Sequence, residues 1–262
     1  MRRIIDGFFS TLGLISRIPL GRLARADFSH AGVFIPVVGL IVASIDIGLY
    51  ALSSRVLRDP ALTAIILITV QYLLFNLFHF DGFVDTMDAV FVGGGAEGRR
   101  RVLKDVHAGS FGLFFAVIYL AAKLHLLSRG LSSSPADEPA AWVLLSFPLS
   151  GRIAAVLLAA FLRPAKPGGL AAAMGRPSAA TVALGTVLGL SPFVALCLAG
   201  LLPAPLLGCF AAALIGFAAA ALIYRYRFGG ATGDGLGFAV ETAELAHLAL
   251  FFALSAQAAQ AA

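Results

Sequence analysis

Residues 61–88 read ALTAIILITVQYLLFNLFHFDGFVDTMD. Ala61–Phe80 is an apolar run of about the 20 residues that an α-helix needs to cross a bilayer core. It is continuous rather than alternating, so it reads as a helix and not as a strand of a barrel. Directly after it stand Asp81, Asp85 and Asp88, spaced i, i+4 and i+7. On a continuing helix that spacing puts three carboxylates on one face. A membrane span that ends in an acidic face decides the fold class and shows where to look for chemistry.

Six more runs have the same character. With Ala61–Phe80 the set is Gly32–Leu52, Phe111–Leu127, Ala140–Leu162, Ala179–Gly200, Leu206–Tyr224 and Leu236–Leu254. The composition agrees: 60% of the 262 residues are hydrophobic, 13% are charged, and the mean hydropathy is +0.93. A soluble domain has about a quarter of its residues charged. Too few polar side chains are present to cover a soluble surface, which excludes a soluble globular enzyme, a disordered chain and a nucleic-acid-binding protein. The expected architecture is an all-α, polytopic transmembrane bundle of about seven spans with short loops. It forms one integral-membrane catalytic domain over residues 1–262, without an internal repeat. Pro36, Pro148 and Pro192 predict kinks. Ile4–Leu20 stays open between an eighth helix and an interfacial one. No cleaved signal peptide is expected at the N-terminus. Cys197 and Cys209 have no ligand pattern around them.

The net charge of +5 has its cause in topology. With the N-terminus inside, the inner segments carry fourteen basic residues: Arg2, Arg3, Arg17, Arg22, Arg25, Arg99, Arg100, Arg101, Lys104, Arg163, Lys166, Arg176, Arg225 and Arg227. The outer loops carry only Arg55, Arg58 and Arg129, and Lys123 and Arg152 lie within spans. This asymmetry is the positive-inside pattern. The longest polar interruptions all fall on the inner side, so chemistry is expected there.

Three clustered carboxylates repel one another unless a cation is present. Oxygen ligands of this kind suit Mg²⁺, which bridges carboxylates to substrate phosphate. Gly82 is the one position in this stretch where the helix could end, right after Asp81. Further on, Arg101 and Lys104 lie one helical turn apart, and either would meet an anionic phosphate. Near the C-terminus, Gly229–Gly237 is a glycine-rich entry to the last span, and Asp234, Glu241 and Glu244 share a helix face. Two glutamates in a span need a partner, a cation or a proton. They read as functional groups or as a packing device in which Glu241 pairs with Lys123 or Arg152. His247 is placed to hydrogen-bond Glu244. Arg152, mid-span, needs an anion or a water-filled cavity.

These motifs resemble the cobalamin synthase (adenosylcobinamide-GDP ribazoletransferase) family over nearly the whole chain. Ile15-Ser16-Arg17-Ile18-Pro19-Leu20 is similar to its Thr/Ser-Arg-Ile/Leu-Pro signature. Residues 79–88 are similar to its His-Leu-Asp-Gly-Leu-Ala-Asp-Thr-x-Asp. Lys104-Asp105…Gly109-Ser110-Phe111-Gly112 looks like its Lys/Arg-Asp-Ser-Arg-x-Gly-Thr-x-Gly, and Gly230-Ala231-Thr232-Gly233-Asp234 with Glu241 and Glu244 looks like its ending. The chain departs from the pattern at Val106-His107 for Ser-Arg, Ala89 for Gly and Gly151 for Ser. His107 is a weaker phosphate clamp than a bidentate Arg.

The resemblance implies a Mg²⁺-dependent transferase in the bacterial inner membrane, with its active-site loops cytoplasmic. It joins adenosylcobinamide-GDP to α-ribazole or its 5′-phosphate and releases GMP. Association with other cobalamin-assembly enzymes is also implied. The metal candidates are Asp81, Asp85, Asp88 and Asp105. Those for substrate are Arg101, Lys104, His107, Arg152, Thr232 and Asp234. His79, Glu241 and Glu244 join the three aspartates as catalytic candidates, and any of the first three would accept a hydroxyl proton. Two rivals are weighed. A CDP-alcohol phosphotransferase needs Asp-x-x-Asp-Gly-x-x-Ala-Arg, and the match fails at Ala89. A cation-coupled transporter would use Glu241 and Glu244 but commonly carries an internal repeat.

Overall fold

Among the described residues seven helices are long and apolar enough to cross a membrane, one for each run read from the sequence. The structure, a computed structural model, describes residues 2–18, 27–93, 95–105, 107–136 and 138–261. Pro19, Leu20, Arg22, Arg25, Gly94 and Val106 lie outside the described residues. In chain order the helices are α1 (Arg2–Ile15), α2 (Ala31–Val56), α3 (Pro60–Phe91), α4 (Gly95–Val102), α5 (Ser110–Ser133), α6 (Pro139–Phe161), the single turn α7 (Leu170–Ala173), α8 (Ala179–Leu198), α9 (Ala204–Phe228) and α10 (Gly233–Ala261). The spans are α2, α3, α5, α6, α8, α9 and the Gly233–Ala256 part of α10. At roughly 21 Å, α1 is too short to be an eighth span. It packs on α2 through Leu12 and Ile15 and leaves Ile4, Ile5 and Phe9 exposed.

Local chemistry explains the boundaries. Asp59 caps α3, its Oδ1 accepting from the N–H of Ala61 (2.8 Å) and Leu62 (3.0 Å), with Pro60 at the first helical position. Gly82 does not end the helix: α3 continues to Phe91, as the one-face reading of the three aspartates requires. A π-helical turn at Tyr72–Asn76 shifts its register, and both of those side chains are buried. Pro36 and Pro192 lie inside helices, as expected. Pro148 does not: α6 pauses at residues 145–146, and Pro148 falls in the first turn of its second half, where no helical N–H is needed. α6 is the most enclosed span, with 94% of its apolar window buried. α10 packs against α6, α3 and α9, and α2 covers another side of α6.

Charge holds the centre of this bundle together. Lys123 of α5 lies 2.6 Å from Glu244 Oε2 and 3.6 Å from Glu241 Oε2. Arg152 of α6 pairs with Glu244 Oε1 and donates to Asn76 Oδ1. Asn76 Nδ2 donates to both glutamates at 3.0–3.2 Å, and the hydroxyls of Tyr72 (2.7 Å) and Tyr119 (2.6 Å) donate to Glu241 Oε2. Asp46 of α2, also buried, faces the same network. The packing-device reading of Glu241 and Glu244 thus matches the geometry. His247, however, does not bond Glu244: its ring nitrogens meet Ser150 Oγ (2.7 Å) and the Val143 carbonyl (2.8 Å).

Removing one member of a buried pair leaves the other charge uncompensated, at a cost of about 3–5 kcal/mol. Arg152→Leu is expected to lower the melting temperature in detergent by several degrees, and Arg152→Leu with Glu244→Leu to recover part of the loss. An unchanged melt for Arg152→Leu would show that the network does not hold the spans together.

Candidate active site

The acidic stripe of α3 meets α10 at one end of the bundle. Asp81 is exposed and Asp85 half-buried. Between them, Gly82 lies against the start of α10: a Cβ at this position would come within 2.8 Å of Asp234 Cα and 2.9 Å of its carbonyl oxygen. Only glycine permits this approach, which brings a third carboxylate to the other two. Asp81, Asp234 and Asp88 are the charged neighbours of Asp85. Among the described residues no ion pair reaches Asp81, Asp85 or Asp234.

Asp234 is held by its own helix entry. The Thr232 hydroxyl donates to Asp234 Oδ2 (3.2 Å) and accepts from the Gly235 N–H (3.2 Å). Thr232 therefore caps α10 and positions Asp234. The segment before it is tied down by a two-bond bridge: Ala231 N–H donates to the Arg163 carbonyl (2.8 Å), and Ala165 N–H to the Ala231 carbonyl (2.9 Å). Arg100 of α4 donates to the Phe228 carbonyl (2.6 Å) at the end of α9. Three separate loops thus converge beside the acid cluster.

Other predicted residues lie elsewhere. Asp88 is on the same stripe as Asp81, but about 10 Å further along the axis. There it meets the N-terminus of α5, and its two oxygens accept from the N–H of Gly109 (2.7 Å) and Gly112 (2.8 Å). It is placed as a helix cap. Asp105 lies in the α4–α5 loop and bonds the His107 ring at 2.9 Å, both side chains being exposed. Arg101 forms an exposed pair with Glu97 at 2.9 Å, so Arg100 and not Arg101 points into the junction. His79 is buried, and its carbonyl lies against α10 at Gly237. Arg152, Glu241 and Glu244 sit in the central network; Glu241 is about 10 Å along α10 from Asp234. Among the described residues no group of three or more His, Cys, Asp or Glu side chains is placed to hold a metal ion.

Sequence reading passed over four residues. Tyr72, Asn76 and Tyr119 are neutral, so a survey of charges misses them; lone polar groups in apolar spans were the available signal. Lys166 was counted only as part of the basic asymmetry. It stands next to Lys104, whose contact and charge pull the Lys166 ammonium below its usual range.

The family model for Cobalamin-5-phosphate synthase matches residues 7–252. The chain belongs to this family. It is similar to the adenosylcobinamide-GDP ribazoletransferases of Thiobacillus denitrificans (34% identity, 93% of this chain and 94% of the relative), Ralstonia nicotianae (31%, 94% of each) and Allorhizobium ampelinum (29%, 94% and 95%). No solved structure matches. Against the family's usual Ser, Gly151 has a local cause: a Cβ there already comes within 2.9 Å of Glu244 Cγ and Val240 Cγ1.

The two kinds of aspartate differ in what they hold. Asp88→Ala is expected to lose the cap of α5, at about 0.5–2 kcal/mol, and to melt earlier. Asp81→Asn and Asp85→Asn remove like-charge repulsion and are expected to melt at or above the parent temperature. Thermal melts of the three purified variants check this. Equal destabilisation by all three would contradict the assignment.

Proposed function

We propose that this chain joins adenosylcobinamide-GDP to α-ribazole or its 5′-phosphate, forming adenosylcobalamin or its 5′-phosphate and releasing GMP. One observation carries the reading: Asp81 and Asp85 of α3 meet Asp234 of α10 at the basic end of a bundle from the cobalamin-5-phosphate synthase family. The protein resides in the bacterial inner membrane with that end cytoplasmic. The support is the positive-inside rule, with fourteen of nineteen basic residues on that side.

Magnesium fits the residues present. Asp81, Asp234 and Asp88 are the charged neighbours of Asp85, and among the described residues no group of three His, Cys, Asp or Glu side chains is placed to hold a metal ion by itself. Mg²⁺ characteristically takes one or two carboxylates and completes its shell with water and substrate phosphate. One or two of Asp81, Asp85 and Asp234 would hold it. When bound, it neutralises charge on the diphosphate and on the departing GMP.

The chain's own residues do the rest. A ribazole hydroxyl attacks the phosphorus nearer the cobinamide. The bond from that phosphorus to the bridging oxygen breaks, and GMP leaves with that oxygen. Thr232 fixes the orientation of Asp234 throughout. Proton acceptance falls to the cluster carboxylates, because His79, Glu241 and Glu244 are buried and the two glutamates are saturated with donors. The same saturation weakens the transporter reading, which rests on those glutamates.

The assay is GMP release from adenosylcobinamide-GDP by purified protein, with and without α-ribazole. Release is expected to need both α-ribazole and Mg²⁺, to stop with a chelator, and to fall by at least about 100-fold in Asp85→Asn. Full release by Asp85→Asn, or uptake into sealed vesicles with no GMP formed, would overturn the proposal.

A further inference from the structure

A groove of about 450 Å³ opens beside the acid cluster, lined by Arg17, Leu77, Phe78, Phe80, Asp81 and Val84. That size falls in the range of small-molecule sites. Leu77, Asp81 and Val84 are spaced i, i+4 and i+7, so its floor is the same face of α3 that carries the aspartates. Its two charged residues have opposite sign. Arg17 comes from the segment after α1, and Asp81 from α3. The two are not in an ion pair, which leaves the space between them free for a guest.

The backbone of Arg17 is fixed while its side chain is not. Its N–H donates to the Leu74 carbonyl (2.7 Å), within the π-helical turn of α3. Turns of this kind recur at functional sites. On one side of Arg17, Ser16 donates to the Leu12 carbonyl (2.6 Å), and Ile15 packs with Leu12, Val38, Val42 and Phe75. On the other side Ile18 packs on the same cluster. The Arg17 side chain is exposed, and among the described residues it makes no ion pair or hydrogen bond. A guanidinium on a pinned backbone presents a planar fork of donors that matches the oxygens of a phosphate.

We propose that Arg17 is a binding residue of the active site, and that the groove between Arg17 and Asp81 takes the diphosphate of the nucleotide-bearing substrate. The proposal rests on the transferase reading above and deepens it. The diphosphate meets the guanidinium on one side and the cluster carboxylate, with its Mg²⁺, on the other. Phe78 and Phe80 give the same groove an apolar floor for the less polar parts of the substrate. A lipid headgroup offers the same phosphate chemistry to an arginine near a membrane surface, so the test separates the two.

The full-length purified chain is used, with GDP as the probe and no reaction required. GDP affinity is measured by calorimetry with Mg²⁺ present, in a maltoside detergent and again in nanodiscs containing phosphatidylglycerol. Arg17→Ala is expected to weaken GDP binding by about tenfold or more in both settings. Arg17→Lys is expected to recover part of the loss, because a point charge replaces the fork. The melting temperature of Arg17→Ala is expected to match the parent's, since the side chain holds nothing in the fold. Arg17→Ala with Asp81→Asn is expected to cost less than the sum of the single losses, because both residues act on one anion. In turnover, Arg17→Ala is expected to raise KM for adenosylcobinamide-GDP by a similar factor and to leave KM for α-ribazole within about twofold. Equal GDP affinity in parent and Arg17→Ala would overturn the assignment, whatever the activity. A loss seen only in the nanodiscs would also overturn it, by giving the guanidinium to a lipid headgroup. A parent protein that binds GDP through Arg17 but releases no GMP from adenosylcobinamide-GDP would sink the transferase reading and leave the groove standing.

Discussion

The cost of charge in hydrocarbon governs this molecule. A chain that is only 13% charged places Lys123, Arg152, Glu241 and Glu244 in the middle of its spans. None of the four is tolerable alone in that environment. Each is satisfied by a side chain from a different helix, so the pairing fixes α3, α5, α6 and α10 against one another. That arrangement sets the register of α10 on α3, and hence the point at which Asp234 meets Gly82. The acid cluster at the bundle end is placed by the ion network about two turns below it.

The two charge layers have opposite physical character. In the central layer every carboxylate oxygen of Glu241 and Glu244 has a donor, and two tyrosines and an asparagine complete the shell. Such a site is closed to substrate. At the end layer Asp81 and Asp85 are in no ion pair among the described residues. The structure thus separates what holds the fold from what is free to do chemistry.

Much of this was legible in the sequence. The seven spans follow from the length and continuity of apolar runs, and the active end follows from where the basic residues fall. Helical spacing alone gave a single stripe for Asp81, Asp85 and Asp88, but it could not say what lies against each turn. Asp88 meets the start of α5, while Gly82, between Asp81 and Asp85, meets the start of α10. Gly82, a point where the helix could have ended, is instead the contact that lets α10 approach, because a glycine's effect depends on what packs against it. Asn76 and the two tyrosines were invisible to a reading that tracked charge. The approach of the Arg163–Ala165 segment to the start of α10 depends on the Pro164–Ala231 bridge, a long-range backbone contact with no local signal.

The division into a closed central layer and an open end layer can be tested with one measurement. Mn²⁺ replaces Mg²⁺ as a spin probe, and its binding to purified protein in the presence of GDP is followed by electron paramagnetic resonance. Binding is expected in the parent and in the near-isosteric Glu241→Gln, and is expected to be lost in Asp85→Asn and Asp234→Asn. Binding that survives Asp85→Asn and Asp234→Asn but disappears in folded Glu241→Gln would place the metal in the central network and contradict the account.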